Sequence, residues 1–329
     1  MRILLVTNRY PTAETPGASP CIEQQRRALQ RLGYHVDVLF FDGPRSKLNY
    51  LKAMMQVFWA AQVRNQYDII HAHYGYCGVV ARMQFRCPVV VTFRGSDVLS
   101  RRERPLSWLV ARCVDRVIVM TDEMKRVLGR NYACVIPYGI DLDLFQPRAR
   151  AEARRELGLP LEIPLVLFPY NPERALKRFD LVEQAVAALE GEYPDIQVLA
   201  IYDKPHKAVA SYMNACDVMV LASDTEGAPN AIREAMACNL PIVSVDVGDV
   251  ADIIQDTEGC YICRQTPDDI AAKLAQVLKT RKRTNGRLAV SRLNLSKAAV
   301  AVATVYQELL PEAPAGRLAK VSELDRIDK

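Results

Sequence analysis

Residues 225–244 read TEGAPNAIREAMACNLPIVS, and this stretch decides how the chain folds. Glu226 stands in a Gly/Pro loop, and Glu234 follows eight residues later inside a helical pattern. Pro229 suits a first helical turn, where its missing N–H costs nothing. The helix is therefore expected to open just after Glu226, with free backbone N–H groups and the positive end of its dipole beside that carboxylate. Such a helix start attracts a phosphate or a partly negative sugar oxygen. Two glutamates at this spacing mean little alone. The flanking Gly-Ala-Pro-Asn and Ala-Met-Ala-Cys-Asn-Leu-Pro strings give the pair its meaning, a site for a sugar attached to a phosphate.

Outward from this stretch, short β-branched runs alternate with helical patterns in both directions. Strands are expected at 3–7, 35–40, 68–72, 89–93, 116–120 and 134–136, then at 165–168, 197–201, 218–221, 242–245 and 260–263. Helices are expected at 21–32, ended by Gly33, and at 178–190, 229–238 and 267–278. Strands alternating with helices imply βαβ units and parallel sheets covered on both faces. At 329 residues the chain exceeds one typical core, so two such domains are expected, joined through 136–147.

Composition excludes several classes. Half the residues are hydrophobic and a quarter charged, ordinary for an α/β protein. No apolar run reaches the roughly 18 residues of a membrane span, and Asn8 and Arg9 cut the first apolar stretch too short for a signal peptide. The nine cysteines show no framework of a secreted domain, so buried reduced thiols are expected. Cys260 and Cys263 form a lone CxxC whose side chains would point to opposite faces of a strand. The charge is uneven. Residues 1–145 hold 20 Lys+Arg and 12 Asp+Glu, a net of +8, against 23 and 26 in the remainder, a net of −3. A basic first half could face an anionic acceptor, a membrane surface or solvent. Neither zinc-finger spacing nor basic-aromatic interleaving points to nucleic acid.

The 225–244 stretch resembles the signature of the glycosyl transferases group 1, the Glu-x7-Glu motif of retaining GT-B glycosyltransferases in glycosyltransferase family four. The joint IPYGIDLDLFQP, residues 136–147, is similar to the Pro-x-Gly-x-Asp-x-x-x-Phe-x-Pro string that links the domains of that family. The resemblance implies a GT-B fold of two doubly wound Rossmann-like domains with a cleft between them. The expected layout is an acceptor-side domain at 1–140 and a nucleotide-sugar domain at 141–295. A helix at 296–310 would cross back to the first domain, followed by a loosely ordered tail at 311–329.

The resemblance also distributes roles. Glu226 is expected to contact donor-sugar hydroxyls and Glu234 the ribose hydroxyls, while backbone groups of Gly227, Ala228, Pro229 and Asn230 face sugar and phosphate. A carboxylate suits both tasks because it accepts charge-assisted bonds from paired hydroxyls. Arg174 and Lys177, in YNPERALKRFDL, are expected to hold the diphosphate, although Pro169-Tyr170-Asn171 stands where relatives have Gly-Arg. Gly17 represents the paired glycines that let backbone approach the donor phosphate. In VVVTFRGSDV, Arg94 replaces the family's histidine, and an arginine stays charged and cannot serve as a general base. Asp97 is expected to cap the next helix or orient Arg94. His71 and His73, two apart and so on one strand face, are expected on the acceptor side or as strand-end packing; with no third ligand apparent, a metal is not expected.

The reading that follows is a metal-independent, retaining transfer of a sugar from a nucleotide-sugar donor to an acceptor hydroxyl, in polysaccharide, glycolipid or glycan assembly. No resident cofactor is expected. The acceptor remains open, lipid-linked and anionic ones included, as does peripheral contact of a cytoplasmic protein with the inner membrane face. Two alternatives stand beside this reading: another GT-B enzyme, a nucleotide-sugar epimerase or phosphorylase, or a non-catalytic sugar-nucleotide-binding subunit.

Overall fold

The computed structural model describes residues 1–129 and 133–310, so the tail expected at 311–329 lies outside the described residues. The chain divides into two compact units. Among the described residues, one takes Met1–Pro11, Ser19–Gly139 and 295–310; the other takes Thr12–Ala18 and Ile140–Asn294.

The first unit is built on strands β1 (Arg2–Thr7), β2 (His35–Phe40), β3 (Ile69–His73), β4 (Val89–Thr92), β5 (Arg116–Val119) and β6 (Cys134–Val135). They form one parallel sheet in the order β2-β1-β3-β4-β5-β6. β3 and β4 are buried at every residue, which is why they read as continuous apolar runs rather than alternating ones. The chain steps from β1 to β2 in one direction and thereafter in the other. Right-handed crossovers then place the helix Pro20–Arg31 on one face and the helices Lys47–Val57, Gly75–Ala81 and Arg104–Cys113 on the opposite face. The helix Leu295–Leu309 packs beside Pro20–Arg31 in this unit.

The second unit holds β7 (Leu165–Phe168), β8 (Gln197–Ala200), β9 (Val218–Leu221), β10 (Ile242–Val245) and β11 (Tyr261–Cys263), parallel in the order β11-β10-β9-β7-β8. Strand order reverses beside β1 in the first unit and beside β7 in the second. Ligands of open α/β sheets bind beyond the carboxyl ends of strands at such reversals. At the opposite, amino end of β9, fully buried Asp217 is bound by Arg150, Arg154 and Arg281 and accepts the Leu165 N–H at 2.8 Å. This cluster fastens the end of the sheet away from the expected ligands.

The joint owes its glycine to a close crossing. A Cβ on Gly139 would lie 2.4 Å from the Cα of Leu295. One residue later, the Ile140 N–H donates to the Leu293 carbonyl at 2.7 Å.

Two local expectations change. Pro229 is the residue before the helix, with ψ near 110°, and the helix runs Asn230–Ala237. It therefore opens one residue later than expected, because the extended Pro229 backbone stands before the first turn rather than in it. Cys113 is exposed and Cys134 and Cys260 are partly so, since all three sit at element ends; all nine cysteines are unbridged. Among the described residues, no helix is long and apolar enough to cross a membrane.

Candidate active site

In the second unit, Lys177 and Glu226 come from the loops after β7 and β9, the strands flanking the reversal. A single turn of tight helix, Ala175–Lys177, directs Lys177 inward, so that it is buried while Arg174 stays exposed. The Lys177 ammonium is paired with the Glu226 carboxylate and sits 3.7 Å from the centre of the Tyr170 ring. Burial lowers the Lys177 pKa and the Glu226 charge opposes that fall. Tyr170 is partly buried, and burial together with the Glu226 and Glu234 charges pushes its pKa well above 10. The tyrosine standing where relatives carry Gly-Arg is thus the platform on which the lysine rests.

Glu234 lies on the helix Asn230–Ala237 and meets His206, whose Nε2 is 2.8 Å from its Oε1. The His206 ring stacks edge-on against Phe145, with centroids 4.8 Å apart. Burial alone would lower the His206 pKa, but Glu234 and, more weakly, Asp141 outweigh it and raise it above 6.5. The loop carrying Glu226 is braced from behind. Gly248, at φ 60°, packs so closely that a Cβ there would lie 2.3 Å from the Gly227 carbonyl oxygen. Buried Arg233 pairs with Asp249 next to it. Ala228 and Asn230 are part-buried and Gly227 is buried, in the loop and first turn between the two carboxylates.

Gly17 has a packing reason for being glycine: a Cβ there would lie 3.1 Å from the Asp203 Cα. The segment Thr12–Ala18 belongs to the second unit, where close backbone contact with Asp203 fixes it.

In the first unit, His71, His73 and Arg94 gather at the carboxyl ends of β3 and β4. His71 has both ring nitrogens occupied, Nδ1 by the Tyr306 hydroxyl at 2.6 Å and Nε2 by Thr92 Oγ1 at 2.7 Å. Burial drops its pKa to about 3, so it is a neutral strut between the sheet and the helix Leu295–Leu309. His73 stacks on it at 4.6 Å and is fully buried, yet neither of its nitrogens has a partner. Burial, with help from His71 and Arg94, holds His73 neutral as well.

The Arg94 guanidinium lies between the rings of Tyr74 and Tyr138, 5.0 and 4.4 Å from their centres, with Nη2 2.5 Å from Cys21 Sγ. Its Nη1 and the Tyr138 hydroxyl are buried without partners. Asp97 accepts the backbone N–H groups of Arg94 and Gly95 at 2.9 and 3.0 Å, so it fixes the Arg94 backbone rather than its side chain. Burial lifts the Asp97 pKa to about 6, against those two bonds. Tyr74 adopts φ 77° and ψ 154°, a region costly for any residue but glycine, and its hydroxyl is 3.0 Å from Ser19 Oγ, itself at φ 48°. Backbone strain of this kind gathers at ligand sites.

His206, Tyr74 and Tyr138 were not singled out in the sequence, and Tyr170 only as part of the replacement for the family's Gly-Arg. His206, Tyr74 and Tyr138 each come from a part of the chain well separated from the residue they meet.

Comparison with known proteins now bears on the whole chain. Residues 170–280 match the family model Glycosyl transferases group 1, and residues 16–144 match Glycosyltransferase Family 4. Bacillus subtilis TuaC, assigned to teichuronic acid biosynthesis as a glycosyltransferase, is 27% identical over 77% of this chain and 83% of its own length. Among solved structures, the sucrose-phosphate synthase of Thermosynechococcus elongatus superposes with a TM-score of 0.73, at 21% identity over 95% of this chain and 100% of that one. HepE of Anabaena, solved with UDP-glucose, gives 0.71 at 17% identity over 94% and 100%. These structures share the two-domain GT-B fold.

Proposed function

This chain belongs to the glycosyl transferases group 1, family four, and from that membership we propose that it moves a sugar from a nucleotide sugar to an acceptor hydroxyl with the anomeric configuration retained. The product would be a polysaccharide, glycolipid or other glycan. The observation that carries the reading is the placement of Lys177 on Tyr170 against Glu226, with Glu234 held by His206, at the strand reversal of one sheet.

In the transfer, the acceptor oxygen bonds to the anomeric carbon as the bond from that carbon to the phosphate oxygen breaks. The acceptor proton passes to the departing phosphate, and a nucleoside diphosphate leaves. Lys177, with exposed Arg174 beside it, would neutralise the charge that grows on the leaving group, in place of a metal. Fixed cations aimed at developing charge are a large contributor to such rates. The arriving diphosphate would draw Lys177 from Glu226, freeing that carboxylate for the donor sugar hydroxyls. Glu234 would take the ribose hydroxyls, and the backbone of Gly227, Ala228 and Asn230 the sugar and phosphate.

For the acceptor, His73 and Arg94 offer unpartnered nitrogens. Neutral His73 can accept a hydroxyl bond, and Arg94 can donate to a hydroxyl or an acidic group. A lipid-linked acceptor would place the reaction at the inner face of a membrane.

The test is release of nucleoside diphosphate from a panel of nucleotide sugars. Release that vanishes in Glu226→Ala supports transfer. Tight donor binding without release, whatever acceptor is supplied, would make the chain a binding subunit instead.

A further inference from the structure

The transfer reaction leaves one face of the first unit unexplained. The helix Lys47–Val57 continues into a wider turn, Phe58–Val63, and its side chains are arranged opposite to those of a helix that only covers a sheet. The stripe it buries is small: Ala53, Val57 and Ala61. Its large apolar residues face outward, with Leu48 65% exposed, Leu51 and Met55 56%, and Trp59 53%. A surface helix ordinarily turns its larger apolar stripe to the core.

The exposed patch extends beyond this helix. The Phe85 N–H donates to Gln62 Oε1 at 3.1 Å, which brings Phe85, 79% exposed, alongside. The Tyr50 and Tyr76 rings, 6.0 Å apart, join the patch to the helix Gly75–Ala81. Against that helix packs Arg104–Cys113, which exposes Trp108 and Leu109. Of the seventeen large apolar side chains exposed among the described residues, eleven lie in this one layer. Contiguous apolar surface on this scale marks an interaction site rather than ordinary exposure.

The charge around the patch is predominantly positive. Residues 44–112 contain eleven Lys and Arg and three acidic residues, Asp68, Asp97 and Glu103, a net of +8. Asp97 is buried, and Asp68 accepts the Arg2 N–H. Among the described residues, the side chains of Arg45, Lys47, Lys52 and Arg64 have no acidic partner. Lys52 and Arg64 also stand with Met55 and Trp59 along a groove of about 780 Å³ between this helix and the edge strand β2, whose one carboxylate is Asp37.

We propose that this layer docks on an anionic phospholipid surface. Leu51, Met55 and Trp59 enter the boundary between headgroups and acyl chains, and Lys52 and Arg64 bind lipid phosphates. Interfacial helices combine an apolar face, basic residues and tryptophan at headgroup depth in this way. A second copy of the chain is a poor occupant, because it would set one basic surface against another. The proposal does not depend on which sugar is transferred, or on the transfer itself.

The chain has only two tryptophans, Trp59 and Trp108, and both are exposed in this layer, so their emission reports directly on docking. The full chain is mixed with vesicles of phosphatidylglycerol and phosphatidylcholine, or of phosphatidylcholine alone, and followed by sedimentation and fluorescence. The expected result is binding and a blue shift with the anionic vesicles only, weakening as salt is added. Lys52→Glu with Arg64→Glu should weaken binding at least about tenfold. Leu51→Ser, Met55→Ser and Trp59→Ser together should abolish the shift of the remaining Trp108. All five positions are exposed, so the variants should melt as wild type does. No binding to anionic vesicles, equal binding to phosphatidylcholine alone, or binding unchanged in both variants would overturn the proposal.

Discussion

The two units present polar groups at the same ends of their sheets, but they leave those groups in opposite states. In the second unit each candidate carboxylate already has a cation or an imidazole: Glu226 has Lys177, and Glu234 has His206. In the first unit, Arg94 has two aromatic rings and a thiol but no carboxylate, and neither His73 nitrogen has a partner. A buried charge or polar group without a partner is costly. On the proposed reading, the second unit would hold its site ready by internal pairs that a donor would exchange for its own groups. The first unit holds polar atoms that only an incoming group, or water, can satisfy.

The largest effect is expected from breaking the paired side. Lys177→Ala should lower turnover by about 10²-fold or more, because it would remove the cation proposed to face the leaving group and would leave Glu226 without its partner. Single-turnover nucleotide release checks it, and a rate within a factor of two of wild type would separate Lys177 from the chemistry. Next comes the unpaired side. Arg94→Met should cut kcat/KM for the acceptor by about tenfold or more while leaving the donor KM unchanged, as loss of one charged hydrogen bond would. An effect on the donor KM alone would assign Arg94 to the other substrate.

The smallest effect sharpens the pairing itself. The His206 pKa is raised in the folded state, so the stability it contributes is complete below pH 6.5 and is lost as pH rises through the raised value. His206→Gln should lower the melting temperature by a few degrees at pH 5.5, for a pair worth about 1 kcal/mol, and by less at pH 8.5. A difference that grows with pH would contradict the assignment of His206 as the cation of the pair.

Most of the frame could be read from the chain. All eleven strands stand where β-branched runs placed them, within a residue or so at each end, because strands of buried parallel sheets are continuous apolar runs between turn signals. The Glu226–Glu234 spacing and Lys177 were legible because they sit in one loop-helix segment or immediately after a strand. The partners were not. His206 lies 28 residues from Glu234 and Tyr138 lies 44 from Arg94, and no local pattern records which distant side chain will meet which. The buried face of the outer helix was not legible for another reason. Leu51, Met55, Trp59 and Val63 repeat every fourth residue, as a core stripe does, and the smaller Ala53-Val57-Ala61 stripe, which is the buried one, has the same period. Periodicity alone does not say which stripe faces in.

The central claim, that the paired groups of the second unit hold a nucleotide sugar, is tested most directly by thermal shift across a panel of nucleotide sugars, on wild type, Glu234→Ala and Lys177→Ala. A bound donor raises the melting temperature by mass action. The account predicts that at least one nucleotide sugar stabilises the wild type and that both substitutions remove or sharply reduce the shift. No stabilisation by any nucleotide sugar, or a shift that survives both substitutions intact, would contradict it.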